Sequence, residues 1–172
     1  ACRAAEPNGK ALVLKVRGQT LWRGDLEGAT KTLSQLSPAM LLEDRGAFKA
    51  CRVHGWSGRA QQALRAADSI SGELVKDIQY PGPKSVLLAT IYDMQGLPEI
   101  AAVEWNRARD LLAELWEEDP TDRTYNYLRA LCFVRLGRED EARDAIDLAI
   151  RLNTMHHTMW PGGGLVGLLH DL

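Results

Sequence analysis

The 172-residue chain is 45% apolar and 26% charged, close to the balance of an ordinary soluble globular domain, so a core can form and a disordered chain is excluded. Its net charge of -2 supplies no long-range attraction toward nucleic acid or a membrane surface. The charge is unevenly spread: residues 1–80 carry 12 Lys/Arg against 8 Asp/Glu, and residues 81–172 carry 9 against 15.

In chain order, the opening ACRAAEPNGK has neither Met nor a signal-peptide core, so the chain reads as a processed piece of a longer protein. No run approaches 18 apolar residues, so no bilayer-spanning helix is expected. The first marked segment is LWRGDLEGATKTL (21–33), followed by RVHGWSGRAQQAL (52–64), DMQGLPEIAAVEW (93–105) and VRLGREDEARDAI (134–146). Each contains Gly, then Ala five residues on, then a large apolar residue four further. These are Gly24, Ala29 and Leu33; Gly55, Ala60 and Leu64; Gly96, Ala101 and Trp105; Gly137, Ala142 and Ile146.

That spacing predicts a helical hairpin. A helix runs up to the Gly, which ends it in the left-handed conformation. Asp25, Ser57, Glu99 and Asp140 then stand near the positive start of the next helix. The Ala fits where two helix backbones cross closely, and the apolar residue one turn later enters the core. Before the Gly, Ala89 and Tyr92, like Ala130 and Phe133, form the other half of the interlock. The third hairpin has a long second helix through Leu112, Leu115 and Trp116, closed by Asp119-Pro120.

These units resemble the tetratricopeptide repeat. The fourth keeps Ala130, Phe133, Gly137, Ala142, Ile146 and Ala149, and the third keeps Ala89, Tyr92, Gly96, Ala101, Trp105 and Ala108. The first two diverge in their leading halves, with Arg17 and Thr20 in one and Phe48 and Cys51 in the other. The resemblance covers about residues 10–153 and implies an all-α, right-handed solenoid of four hairpins. The hairpins fall at about 10–38, 39–70, 82–118 and 122–153 of a single domain, with a C-terminal turn and short helix at 154–172. Residues 105–172 look more narrowly like the C-terminal repeats of multidomain bacterial regulators that carry winged-helix, kinase or class III cyclase domains. The features are WEEDPTD, the unit LRALCFVRLGREDEARDAIDLAIRLN and the WPGGG before LVGLLHDL.

Patterns that carry chemistry elsewhere do not assemble here. Gly162–Gly164 lacks the Lys and Ser/Thr of a phosphate loop. Adjacent His156 and His157 would point about 100° apart on a helix, and His54 and His170 have no carboxylate at ligand spacing. Glu117–Asp119 and Glu139–Glu141 read as a solvated face and a helix start. Ser57 lies in a hairpin turn rather than on a nucleophile elbow. Cys2, Cys51 and Cys132 form no CxxC, and the latter two sit in apolar helical patterns as buried free thiols. No catalysis, cofactor, metal site, nucleic-acid binding or membrane binding is expected of this segment, and a reduced, cytoplasmic setting is favoured, or a periplasmic one if the parent is a membrane-anchored regulator.

The resemblance implies instead that a protein or peptide is bound on the concave face, lined by the first helix of each hairpin. Family register places there Trp22; Arg45, Lys49 and Arg52; Val86, Thr90, Asp93 and Met94; and Thr124, Tyr127, Leu131, Val134 and Arg135. Arg45, Lys49 and Arg52 share one helix face and would suit a carboxylate-bearing partner, while Trp22 and Tyr127 are candidate aromatic anchors. The competing expectation is a structural spacer or homodimerisation element without a groove ligand.

Overall fold

The computed structural model describes residues 9–77 and 80–155. The described residues are mostly helical, and no helix among them is long and apolar enough to cross a membrane. They divide after Ser71 into two compact units. The C-terminal features at 156–172, among them His156, His157, Gly162–Gly164 and LVGLLHDL, lie outside the described residues, as does Cys2.

The first unit contains α1 (Gly9–Arg23), α2 (Leu26–Leu33), α3 (Pro38–Leu42), α4 (Asp44–Trp56) and α5 (Ala60–Asp68). Gly24 turns the chain at φ +62°, and the Asp25 carboxylate accepts from the Gly28 N–H at 2.8 Å, capping α2. Helices α1 and α2 form one hairpin and α4 and α5 another, with α4 bedded against both α1 and α2. Their shared core is Leu12, Val16, Ala29, Leu33, Leu36, Ala50 and Val53. The short α3 begins at Ser37-Pro38, with Ser37 as N-cap and Pro in the first turn. It crosses α4 so closely that a Cβ on Gly46 would lie 1.9 Å from the Met40 carbonyl oxygen, so only glycine fits there. The Ser71 N–H and hydroxyl both donate to Asp44, tying the end of the unit to the start of α4.

The second hairpin corrects the sequence register. Gly55 does not end a helix: it lies buried inside α4, and the turn is made by Gly58 at φ +69°. Behind it, Arg59 N–H donates to the His54 carbonyl, as Leu97 does to Tyr92 and Arg138 does to Phe133 around Gly96 and Gly137. These are bonds of the Schellman type. His54 is therefore the counterpart of Tyr92 and Phe133, and the fully buried Ala63, not Ala60, is the counterpart of Ala101 and Ala142. Both glycines of HGWSG stand five residues before an alanine, so the template matched twice. Nothing lies within 4 Å of a Cβ built on Gly58, so its substitution costs only backbone strain. Gly58→Ala is expected to lower stability by about 1–2 kcal/mol, read by urea denaturation. An unchanged midpoint would reassign the turn.

The second unit begins with a ribbon that the all-helical reading does not contain. Strands β1 (Leu74–Asp77) and β2 (Tyr80–Pro83) pair antiparallel, with Leu74 opposite Pro83 and Asp77 opposite Tyr80. Prolines 81 and 83 argue against a strand in sequence, yet a two-stranded ribbon tolerates them. Strand β2 lies against the three helices α6 (Lys84–Met94), α7 (Pro98–Glu118) and α8 (Arg123–Arg135). A Cβ on Gly82 would meet the Leu128 side chain at 2.6 Å. The Tyr80 hydroxyl donates to the Pro83 carbonyl at 2.8 Å, and Lys84 N–H donates to the Glu73 carbonyl at 2.8 Å, joining ribbon to helix.

Helix α7 runs 21 residues and buries Ala101, Trp105, Ala108 and Leu112 along one face. It packs on both α6 and α8. Asp122 caps α8 through the Tyr125 N–H. Helix α9 (Glu139–Met155) folds back on α8 around Ala130, Phe133, Ala142 and Ala145. Ile146, expected in the core, is exposed, and its neighbour Ala145 is buried instead. Helix α8 packs on α7, which carries the equivalent Trp105, whereas no described helix follows α9.

The fully buried Asn126 ties this unit together. Its amide N–H groups donate to the Pro120 and Asp122 carbonyls, each at 2.8 Å, and its carbonyl accepts from the Trp116 indole at 3.0 Å.

Candidate functional site

The expected groove residues fall into two groups, one in each unit. In the first unit, Trp22 closes α1 and is largely exposed. Arg45 is exposed at the start of α4. Lys49 is buried, its Nζ 4.6 Å from the centre of the Phe48 ring. Arg52 is partly buried, its guanidinium 5.4 Å from the Phe48 ring and 4.3 Å from the Trp56 ring. Residues four apart on a helix are neighbours, so Phe48, Arg52 and Trp56 form one stacked column. Shifting the register to Gly58 makes Trp56 the counterpart of Trp22, Met94 and Arg135. Sequence reasoning missed Trp56 because the wrong glycine was taken as the turn.

In the second unit, three of the remaining positions resolve clearly. The Thr90 hydroxyl donates to the Val86 carbonyl of its own helix at 2.8 Å and offers little to a ligand. Asp93, at the end of α6, accepts from the Trp105 indole N–H at 2.8 Å. The same carboxylate oxygen lies 3.9 Å from Nε of Arg135, at the end of α8. One carboxylate thus joins three helices. Met94 and Val134, next to these two residues in sequence, are exposed large apolar side chains. Tyr127 is partly buried, and burial pushes its hydroxyl up to about 12, so it remains a neutral donor. Val86, Thr124 and Leu131, also placed on the face by register, are buried in the structure. The exposed surface is therefore narrower than expected and concentrated at the C-terminal ends of α6 and α8.

A second cation-aromatic column in this unit has no counterpart in the sequence reading. The Arg129 guanidinium stacks 4.2 Å from the Trp116 ring, and Arg129 and Arg138 lie 5.7 and 5.3 Å from the Phe133 ring. The four-residue step from Arg129 to Phe133 was the available signal.

His54 is the one histidine in the described residues. Burial, with Arg59 and then Arg65 nearby, holds its imidazole below the ordinary histidine range, and its buried Nδ1 has no hydrogen-bond partner among the described residues. Protonation would place a third cation beside Arg59 and Arg65 in this setting. The folded form therefore binds the proton less well than the unfolded chain. The stability His54 contributes is complete above the unfolded value of about 6.5 and falls as pH drops through it toward the folded value. His54→Gln is expected to flatten the decline in melting temperature between about pH 7.5 and 5.5. An identical decline in both proteins would mean that His54 is not the titrating group.

No protein-family model matches the chain, and no curated protein matches it.

Proposed function

We propose that the chain is a tetratricopeptide-like helical repeat module that binds a segment of another protein and performs no chemistry of its own. The resemblance of residues 105–172 to regulator repeats supports a sensory or scaffolding place within a larger bacterial protein. Three features support the repeat reading: hairpins closed by left-handed glycines at Gly24, Gly58, Gly96 and Gly137, buried alanines five residues after each, and α4 bedded on the preceding hairpin.

The observation that carries the binding reading is the meeting of Asp93 and Arg135. They lie on different helices, distant in sequence, yet approach to 3.9 Å with exposed Met94 and Val134 beside them. An apolar surface next to an oriented charge pair suits a peptide that offers one apolar anchor and one hydrogen-bonding group.

Peptides would be selected from a random library on the 172-residue chain, and their affinity measured by fluorescence anisotropy. Met94→Ala with Arg135→Ala is expected to weaken binding about tenfold or more, some 1.4 kcal/mol. The melting temperature should change little, since both residues are exposed. Failure to select any peptide, or equal affinity for the double variant, refutes the assignment.

A further inference from the structure

The charge pair at the ends of α6 and α8 is only partly satisfied by its own protein. One oxygen of the Asp93 carboxylate, Oδ2, accepts from the Trp105 indole N–H at 2.8 Å and is also the oxygen nearest Arg135. The other oxygen, Oδ1, receives no hydrogen bond from the described residues. The 3.9 Å from Arg135 Nε to the carboxylate is an ion-pair approach and too long for a hydrogen bond. The guanidinium donors of Arg135 therefore also meet no acceptor among the described residues. Of the Asp93 side chain 24% is exposed, and of the Arg135 side chain 31%. Each charge is thus partly desolvated yet open on one side, and the indole fixes how the carboxylate is turned.

An acceptor beside a set of donors, opposite in charge and together neutral, selects the chemistry of what rests on them. A ligand carboxylate on Arg135 would bring like charge beside Asp93, and a ligand ammonium on Asp93 would bring like charge beside Arg135. Either would also have to shed the hydration of a full charge. A primary carboxamide meets neither cost. It is uncharged, its NH2 group donates and its oxygen accepts. It can donate to Asp93 Oδ1 while accepting from Arg135, so that both hydrogen bonds have an ionised protein partner. We infer that the peptide bound at this surface presents an Asn or Gln side chain to Asp93 and Arg135. Exposed Met94 and Val134 then receive a neighbouring aliphatic residue of the same peptide. This inference rests on the peptide-binding reading and adds to it the residue type that the site recognises.

Peptides selected from a random library on the 172-residue chain test it. Asn or Gln next to an aliphatic residue should be enriched. In a synthetic copy of the best peptide, replacing that Asn or Gln by Glu or by Lys should weaken binding about tenfold or more by fluorescence anisotropy. Two protein variants should then exchange the preference. Asp93→Asn leaves Arg135 unopposed and should favour the Glu peptide over its carboxamide parent by about threefold or more. Arg135→Gln leaves Asp93 unopposed and should favour the Lys peptide to a similar degree. A purely structural role for the pair would instead lower all three affinities in parallel. Circular dichroism checks folding. Asparagine at position 93 can still accept from the Trp105 indole, and if that variant nevertheless unfolds, Arg135→Gln alone decides. Enrichment of acidic or basic residues on the unaltered protein overturns the inference, as does equal affinity for the three peptides or a parallel decline in the variants. In those cases binding that still depends on Met94 and Arg135 leaves the peptide-binding reading standing. Recovery of no peptide overturns both.

Discussion

Trp105→Ala is expected to destabilise the second unit by about 3–5 kcal/mol. Trp105 is almost fully buried on α7 between Ala101 and Ala108, where α7 packs on both α6 and α8. Removing the indole leaves a cavity that backbone alanines cannot close, and it deprives the Asp93 carboxylate of its 2.8 Å donor. Asp93 would keep only the looser approach of Arg135 at 3.9 Å. Because that carboxylate orients the exposed surface, peptide affinity should fall along with stability. Trp105→Phe separates the two effects: it refills most of the volume without the N–H. It is expected to recover most of the urea midpoint but not the affinity. Equal recovery of both would show that the indole hydrogen bond contributes nothing to orienting Asp93.

Asn126→Leu should cost about 2–4 kcal/mol despite conserving size and adding apolar surface. Three hydrogen bonds end on this fully buried side chain, and leucine would leave the half-buried Trp116 indole and the carbonyls of Pro120 and Asp122 short of a partner. Trp116→Phe removes one bond and one donor together, so its loss should be smaller. Urea denaturation followed by circular dichroism gives the order of the two. A milder effect for Asn126→Leu would mean that the backbone around Pro120 relaxes to find other partners.

Much of the helical pattern was legible in the sequence because it rests on local chemistry. Gly24, Gly96 and Gly137 turn with positive φ, and Ala29, Ala101 and Ala142 are buried where small side chains were expected. The register of the second hairpin was not legible, since Gly55 and Gly58 satisfy the same spacing and only the backbone bond from Arg59 to His54 separates them. The ribbon at residues 74–83 escaped because prolines obscure its pairing, while its burial depends on Leu128, far along the chain. The candidate site was legible as positions and not as contacts. The register implied by the repeat resemblance put Asp93 and Arg135 on one expected face, but nothing local announces that Trp105 holds the carboxylate between them. Lys49 was read by its charge, and the structure buries it beside Phe48, where the long apolar stem of the side chain is used.

The two buried cysteines fall one to each unit. Burial raises both thiols to about 12, so at neutral pH neither is an effective nucleophile until its surroundings open. Cys51 sits within α4 and Cys132 within α8. With Cys2 replaced by serine, the rate at which each remaining thiol reacts with an alkylating reagent becomes a clock for the opening of its own unit. Equal rates would describe one cooperative body. Unequal rates would describe two halves that breathe independently, each timed by a sulfur atom that otherwise serves only as packing.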